Sequence, residues 1–162
     1  MTSLNEMMRA IRRAVRVAIA ERGARKSAPK LAPPLARGAR KLRVMRTHRD
    51  DEPIAMQLQE FHRRLNDDRF DGELGTIAVR VSRRMRSRLG HYAPAQRGAP
   101  AEIAISQGHV KRHGFEQALQ TLLHEMVHQW QDETKRPLDH GPEFRLKARS
   151  VGITARASRA VD

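Results

Sequence analysis

The sequence predicts an α+β domain, on three observations. Apolar residues recur at helical spacing after residue 51 and again around residue 122, and a two-residue alternation of apolar and polar positions lies between them. Turn-forming residues separate these segments. Strands in the middle with helices at both ends set the class. A chain of 162 residues has room for one such domain with a sizeable core.

The elements follow in order. Residues 1–22 form a basic amphipathic helix: Ser3 and Glu6 make an S-x-x-E capping box, and Leu4, Met7, Met8, Ile11, Val15 and Ile19 form an apolar stripe. Arg9, Arg12, Arg13 and Arg16 gather beside that stripe, and Gly23 stops the helix. Three uses of such a helix stay open: presenting arginines to a phosphate backbone, lying on an anionic membrane, or acting as a mitochondrial transit peptide. Residues 23–50, with Pro29, Pro33, Pro34 and Gly38, read as a flexible basic linker.

The globular domain spans residues 51–153. Asp51 is placed to cap a helix with Pro53 in its first turn, and Ile54, Leu58, Phe61 and Leu65 follow on one face. Residues 66–75 form a turn. Ile77, Val79 and Val81 alternate with Ala78 and Arg80 as a half-buried strand; a second strand holds His91 and Tyr92, and a third covers residues 102–106. These make a short, antiparallel-type sheet of about three strands. Phe115, Leu119, Leu122, Met126 and Trp130 mark a core helix over residues 115–131. A loop with Pro137 leads to a last helix from Pro142 to about Ser150, and residues 154–162 are a short tail.

Charge is unevenly spread over this plan. The formal net charge is +14. Residues 1–50 carry 14 Lys and Arg against 3 Asp and Glu, whereas 51–105 carry 9 against 8 and 106–162 carry 9 against 7. The domain is therefore nearly balanced and the excess is N-terminal, which favours a polyanionic partner. Of the 32 basic residues 26 are arginine, a preference that a GC-rich genome also produces, although codon bias does not explain the clustering. The absence of cysteine excludes disulfides, thiolate metal sites and a cysteine nucleophile, and fits a cytoplasmic protein. No apolar run approaches a membrane span, so no membrane partner is expected.

The chemistry-bearing stretch is His124-Glu125-Met126-Val127-His128, an H-E-x-x-H, followed by His140. On a helix, histidines at i and i+4 project from one face about one turn apart, so two imidazoles can grip one metal ion. Glu125 lies on an adjoining face as general base, and His140 would close a three-histidine site with its fourth position open. With eight histidines and ten glutamates in the chain, the motif arises by chance in roughly one such chain in forty. Its setting on an apolar core helix is what favours a metal, because buried histidines and a buried glutamate need partners.

The surrounding residues carry the reading further. Leu122-Leu123 before the motif, and His140-Gly141-Pro142-Glu143-Phe144 after it, resemble the SprT-like metallopeptidases, the family that includes the Spartan DNA–protein crosslink proteases. Leu65-Asn66, Phe70-Asp71-Gly72-Glu73-Leu74, Ser82-Arg83-Arg84, Gly90-His91-Tyr92 and the segment 102–106 continue the resemblance in order, from about Asp51 to Ile153. It implies a small zincin-like domain with one Zn2+ on His124, His128 and His140 and Glu125 as general base. Many relatives add a four-cysteine zinc ribbon. This chain has no cysteine, so a minimal catalytic domain is expected.

Glu143 is a rival third ligand, since other zinc peptidases use a glutamate in that region, but His140-Gly141 resembles the family's third ligand more closely. Tyr92 is either an oxyanion donor or a packing residue with a solvent-reaching hydroxyl. Asp139 either orients a ligand or is an exposed loop carboxylate. His48, His62, His109 and His113 are expected to be exposed, and Trp130 to be core, with base stacking as an alternative. Arg80, Arg83, Arg84 and Arg86, with Arg88, form a second basic run that could meet DNA or simply be a solvated strand exit. The function expected is a zinc endopeptidase acting on protein substrates bound or crosslinked to DNA. The alternatives are a cytosolic zinc peptidase without a DNA role, or a DNA-binding module with a structural metal. Oligomeric state is not legible.

Overall fold

The computed structural model describes residues 46–153. The expected helix over residues 1–22, with Arg9, Arg12, Arg13 and Arg16, lies outside the described residues, as do most of the linker and the tail. After a 3-10 turn at Arg49–Asp51 come helix α1 (Glu52–Arg69), strands β1 (Ala78–Ser82), β2 (Gly90–Ala93) and β3 (Glu102–Ser106), helix α2 (Gln107–Glu133) and helix α3 (Pro142–Ser150). The α+β expectation holds. No helix among the described residues is long and apolar enough to cross a membrane.

The sheet order is β1-β3-β2. β2 pairs antiparallel with β3, but β1 pairs parallel with it, Val79 opposite Ile103 and Val81 opposite Ile105. The sheet is thus mixed, a correction to the antiparallel expectation. Its cause is the insertion of β3 between two strands that are consecutive in sequence, a long-range pairing that alternation alone does not encode.

Both outer edges of the sheet are engaged. The Gln59 side chain runs beside β1, accepting from Val79 N at 2.8 Å and donating to the Ile77 carbonyl at 3.0 Å, while Val81 N donates to Thr47 Oγ1. Such pairing covers an edge that would otherwise invite another strand. On the other side, β2 meets the side chain of Glu125.

The core lies between the sheet and the helices, with Leu58, Phe70, Ile103, Ile105, Leu122, Met126 and Phe144 buried. Helix α1 ends where Asp71 and Gly72 take positive φ of 56° and 73°. Asn66 then clasps Leu74 with two hydrogen bonds, one to its carbonyl and one from its amide. Asp51 departs from expectation: it makes no side-chain cap and instead binds Arg83 at 2.6 Å and Gln107 at 2.9 Å. Helix α2 begins earlier than expected, because the chain turns helically from Gln107 and then kinks at Gly114 (φ 84°), where no L side chain is comfortable.

Two histidines expected to be exposed are buried. His62 Nε2 lies 2.7 Å from Gln129 Oε1, and Gln129 Nε2 donates to the Gly75 carbonyl and to Glu133. His109 Nε2 lies 2.9 Å from Thr121 Oγ1. His62 is drawn inside by a partner on α2, and His109 by Thr121 beyond the Gly114 kink of its own helix, which their sequence neighbours do not signal. Trp130 is half-buried rather than core, with Arg136 at 4.6 Å and Lys147 at 5.2 Å from its ring centre.

Burial holds the His62 pKa below its ordinary value, against a smaller upward pull from Gln129. A depressed histidine pKa means the unfolded chain takes up the proton first. The neutral residue therefore contributes its full stability above about pH 6.5, and this is lost as pH falls below that value. The melting temperature is expected to drop between pH 7.5 and 5.5, and to drop less in His62→Gln, as checked by thermal unfolding at both pH values.

Candidate metal centre

Helix α2 carries His124, Glu125 and His128, and the loop before α3 carries His140. His124 is 0 % exposed and Glu125 3 %. The burial follows from Leu122, Leu123, Met126 and Val127, which fix this turn of α2 in the core. The Nε2 atoms of the three histidines converge: His140 lies 3.0 Å from His124 and 3.2 Å from His128. Zn–N bonds of 2.0–2.1 Å in a tetrahedron place ligand nitrogens about 3.3 Å apart. The donor set fits one small cation.

Electrostatics agree. Burial pushes His124 down to about 3, helped by the nearby His128 and His140 rings, and burial also lowers His128. Both are neutral near pH 7, the state in which imidazole offers a lone pair. The ring of Phe144, 1 % exposed, forms a common wall, its centre 4.8 Å from His124, 4.7 Å from His128 and 4.6 Å from His140. Gly141-Pro142 starts α3 and so delivers Phe144 to this position, while Asp139 Oδ1 accepts from Gly141 N at 2.8 Å to shape the turn. Asp139 is exposed, as one of its two readings had it.

Glu125 faces β2. Its Oε2 accepts from Tyr92 N at 2.8 Å. Burial raises its pKa to about 7, against the Tyr92 amide and the Arg88 charge, which both pull it down. A carboxyl near neutrality can take a proton and give it back, as general acid–base work requires. The close approach depends on Gly90: a Cβ there would sit 2.7 Å from Glu125 Oε1 and 2.6 Å from Thr121 Cγ2. Gly90→Ala is expected to displace the carboxylate, lowering activity at least about ten-fold and stability by about 1–3 kcal/mol. Paired kinetic and unfolding measurements check this.

The other site candidates fall as follows. The Tyr92 hydroxyl donates to Asp132 Oδ2 at 2.7 Å, and its pKa is raised chiefly by burial. Its backbone amide, rather than its hydroxyl, touches Glu125. Glu143 is exposed and pairs with Arg136 at 2.7 Å, apart from the converging nitrogens. Arg80 is held by Glu102 at 2.7 Å and Arg83 by Asp51 and Asp50, so neither presents an uncommitted cation. Arg84 and Arg86 are exposed. An open cavity of about 600 Å³ is lined by Arg88, His91, Tyr92, Leu138 and the site residues Glu125, His128 and His140. Gly90, Phe144 and Gln131, which bonds His128, were not singled out for these roles from sequence. The Gly90-His91-Tyr92 and His140–Phe144 segments carried the only signal for the first two.

Three converging imidazoles that could hold a metal ion, beside a buried carboxylate on a helix packed against a mixed sheet, fit an α+β domain of zincin-like type. The sequence matches the SprT-like family over residues 58–161, and the chain belongs to that family. It is similar to the DNA-dependent metalloprotease SPRTN of Rattus norvegicus, 34 % identical over 90 residues, and of Homo sapiens, 33 % identical over 90; each match covers 54 % of this chain and 18 % of the relative. The Xenopus tropicalis protein of the same name is 38 % identical over 82 residues, 49 % of this chain and 19 % of the relative. The chain thus matches less than a fifth of the length of these curated relatives.

Proposed function

We propose that the chain is a zinc-dependent endopeptidase that cleaves proteins bound or crosslinked to DNA. One observation carries the peptidase reading: three histidine Nε2 atoms converge beside Glu125 at the wall of an open cavity. His124, His128 and His140 would hold the ion. Zinc, when bound, supplies a Lewis acid that acidifies water toward neutrality and polarises the scissile carbonyl. Glu125 takes the proton of the attacking water and passes it to the leaving nitrogen, with the Tyr92 amide keeping Oε2 in place while Oε1 carries the proton. The hydroxyl of Tyr92 serves this reading through β2, by anchoring that strand to Asp132.

The DNA part rests on the N-terminal charge excess and on the relatives described as DNA-dependent. Arg84 and Arg86 are the proposed contacts on the domain, joined by Arg9, Arg12, Arg13 and Arg16. Phosphate contacts make such binding fall steeply with salt. The test uses a protein covalently attached to DNA, a DNA-free copy of it, and zinc-loaded enzyme at low and high salt. Cleavage of the DNA-linked substrate alone, weakened by salt, is expected. Equal cleavage of both would keep the peptidase and remove the DNA role.

A further inference from the structure

We propose that Gln131 is a positioning residue that fixes the tautomer of His128 and the placement of His140 through one side-chain amide. The proposal rests on the reading of the three histidines as metal ligands. Gln131 is 1 % exposed and lies three residues beyond His128 on α2. Its Nε2 donates to the Asp139 carbonyl at 3.0 Å. A carbonyl only accepts, so this bond decides which end of the amide is nitrogen. The Oε1 end therefore faces His128 Nδ1, at 2.8 Å. An acceptor there requires Nδ1 to carry the hydrogen. A neutral imidazole has only one, so Nε2 keeps its lone pair, and Nε2 is the atom that converges with His140.

The same amide reaches the third ligand. Asp139 immediately precedes His140, so the bond to its carbonyl ties the ligand-bearing loop to α2. No comparable partner serves His124, whose Nδ1 has no hydrogen-bond partner among the described residues. Packing orients this histidine, whereas Gln131 bonds His128 directly and holds the residue before His140, whose own carbonyl accepts from Arg145 Nη1 at 2.8 Å. A second buried amide on α2 provides a control. Gln129 makes the same kind of paired contact, to His62 and the Gly75 carbonyl, without touching a proposed ligand.

The experiment measures zinc affinity by competition with a chromogenic chelator, and the His128 tautomer by long-range 1H–15N NMR of the zinc-free protein. Wild type, Gln131→Met, Gln131→Glu and Gln129→Met are compared, each with a melting curve. Wild type is expected to bind one zinc and to show the Nδ1–H form of His128. Gln131→Met should bind zinc about 10- to 100-fold more weakly and lose that tautomer preference. Gln131→Glu retains the acceptor for Nδ1–H but loses the donor to Asp139, so it should keep the tautomer and lose part of the affinity. Gln129→Met should melt earlier with unchanged zinc affinity.

Wild-type affinity in folded Gln131→Met, or an unchanged tautomer, overturns the proposal. If Gln131→Met does not fold, Gln131→Glu decides it, because wild-type zinc affinity there would remove the tether to His140. A wild type that binds no zinc instead removes the ligand reading itself, and the first titration separates that outcome from the others.

Discussion

Glu125→Gln is expected to lower peptide cleavage by about two to four orders of magnitude while leaving the fold and zinc binding intact. The amide is nearly the size of the carboxylate and can still accept from the Tyr92 amide through its oxygen. It cannot take a proton from water. Since burial already raises Glu125 to about 7, the substitution also removes a group that is costly to ionise, so the variant is expected to melt no lower than wild type. Loss of cleavage with a retained melting curve and retained zinc stoichiometry is the signature of a base. Parallel loss of zinc would instead make Glu125 part of the site's architecture.

Phe144→Ala is expected to be the most damaging change outside the proposed ion-holding residues themselves. The ring is buried and touches all three histidines, so truncation opens a cavity directly behind them. Loss of a buried phenylalanine costs about 3–5 kcal/mol. The three imidazoles would also gain rotational freedom, so zinc affinity should fall along with the melting temperature. Denaturant unfolding and chelator competition measure the two losses separately. Phe144→Leu, which keeps part of the wall, should recover some of both. A variant with reduced stability but wild-type zinc affinity would show that the ring packs the core without orienting the ligands.

The sequence foretells some parts of this structure and conceals others, for physical reasons. Local signals sufficed for α3, whose ends follow from Gly141-Pro142 and the approach to Gly152, and for β3, a short apolar run between turns. The spacing of His124 and His128 is also local, one helical turn, and so their common face was legible. His140 came from the family resemblance as much as from spacing, because nothing in a loop's sequence fixes where its side chain falls. The parallel pairing of β1 with β3 was hidden, since it depends on β3 entering between strands that precede it.

Burial of polar groups was the least legible property. His62, His109 and Asp51 look solvent-facing, yet each is buried: His62 and Asp51 by partners on distant elements, and His109 by Thr121, which lies beyond the Gly114 kink of the same helix. Arg80 and Arg83 read as a basic surface for the same reason, their acidic partners lying on β3 and in the 3-10 turn ahead of α1, both far along the chain. Gly90 shows the limit from another side. A glycine at the start of a strand suggests backbone freedom, but here it makes room for the Glu125 carboxylate, a contact visible only in three dimensions.

The most direct test of the proposed metal centre is X-ray absorption at the zinc edge of the loaded protein, with His140→Ala and Glu143→Ala alongside wild type. Three imidazole nitrogens at about 2.0–2.1 Å are expected in wild type, three again in Glu143→Ala, and two in His140→Ala. Loss of a ligand on removal of Glu143, with His140→Ala unchanged, would contradict the three-histidine site.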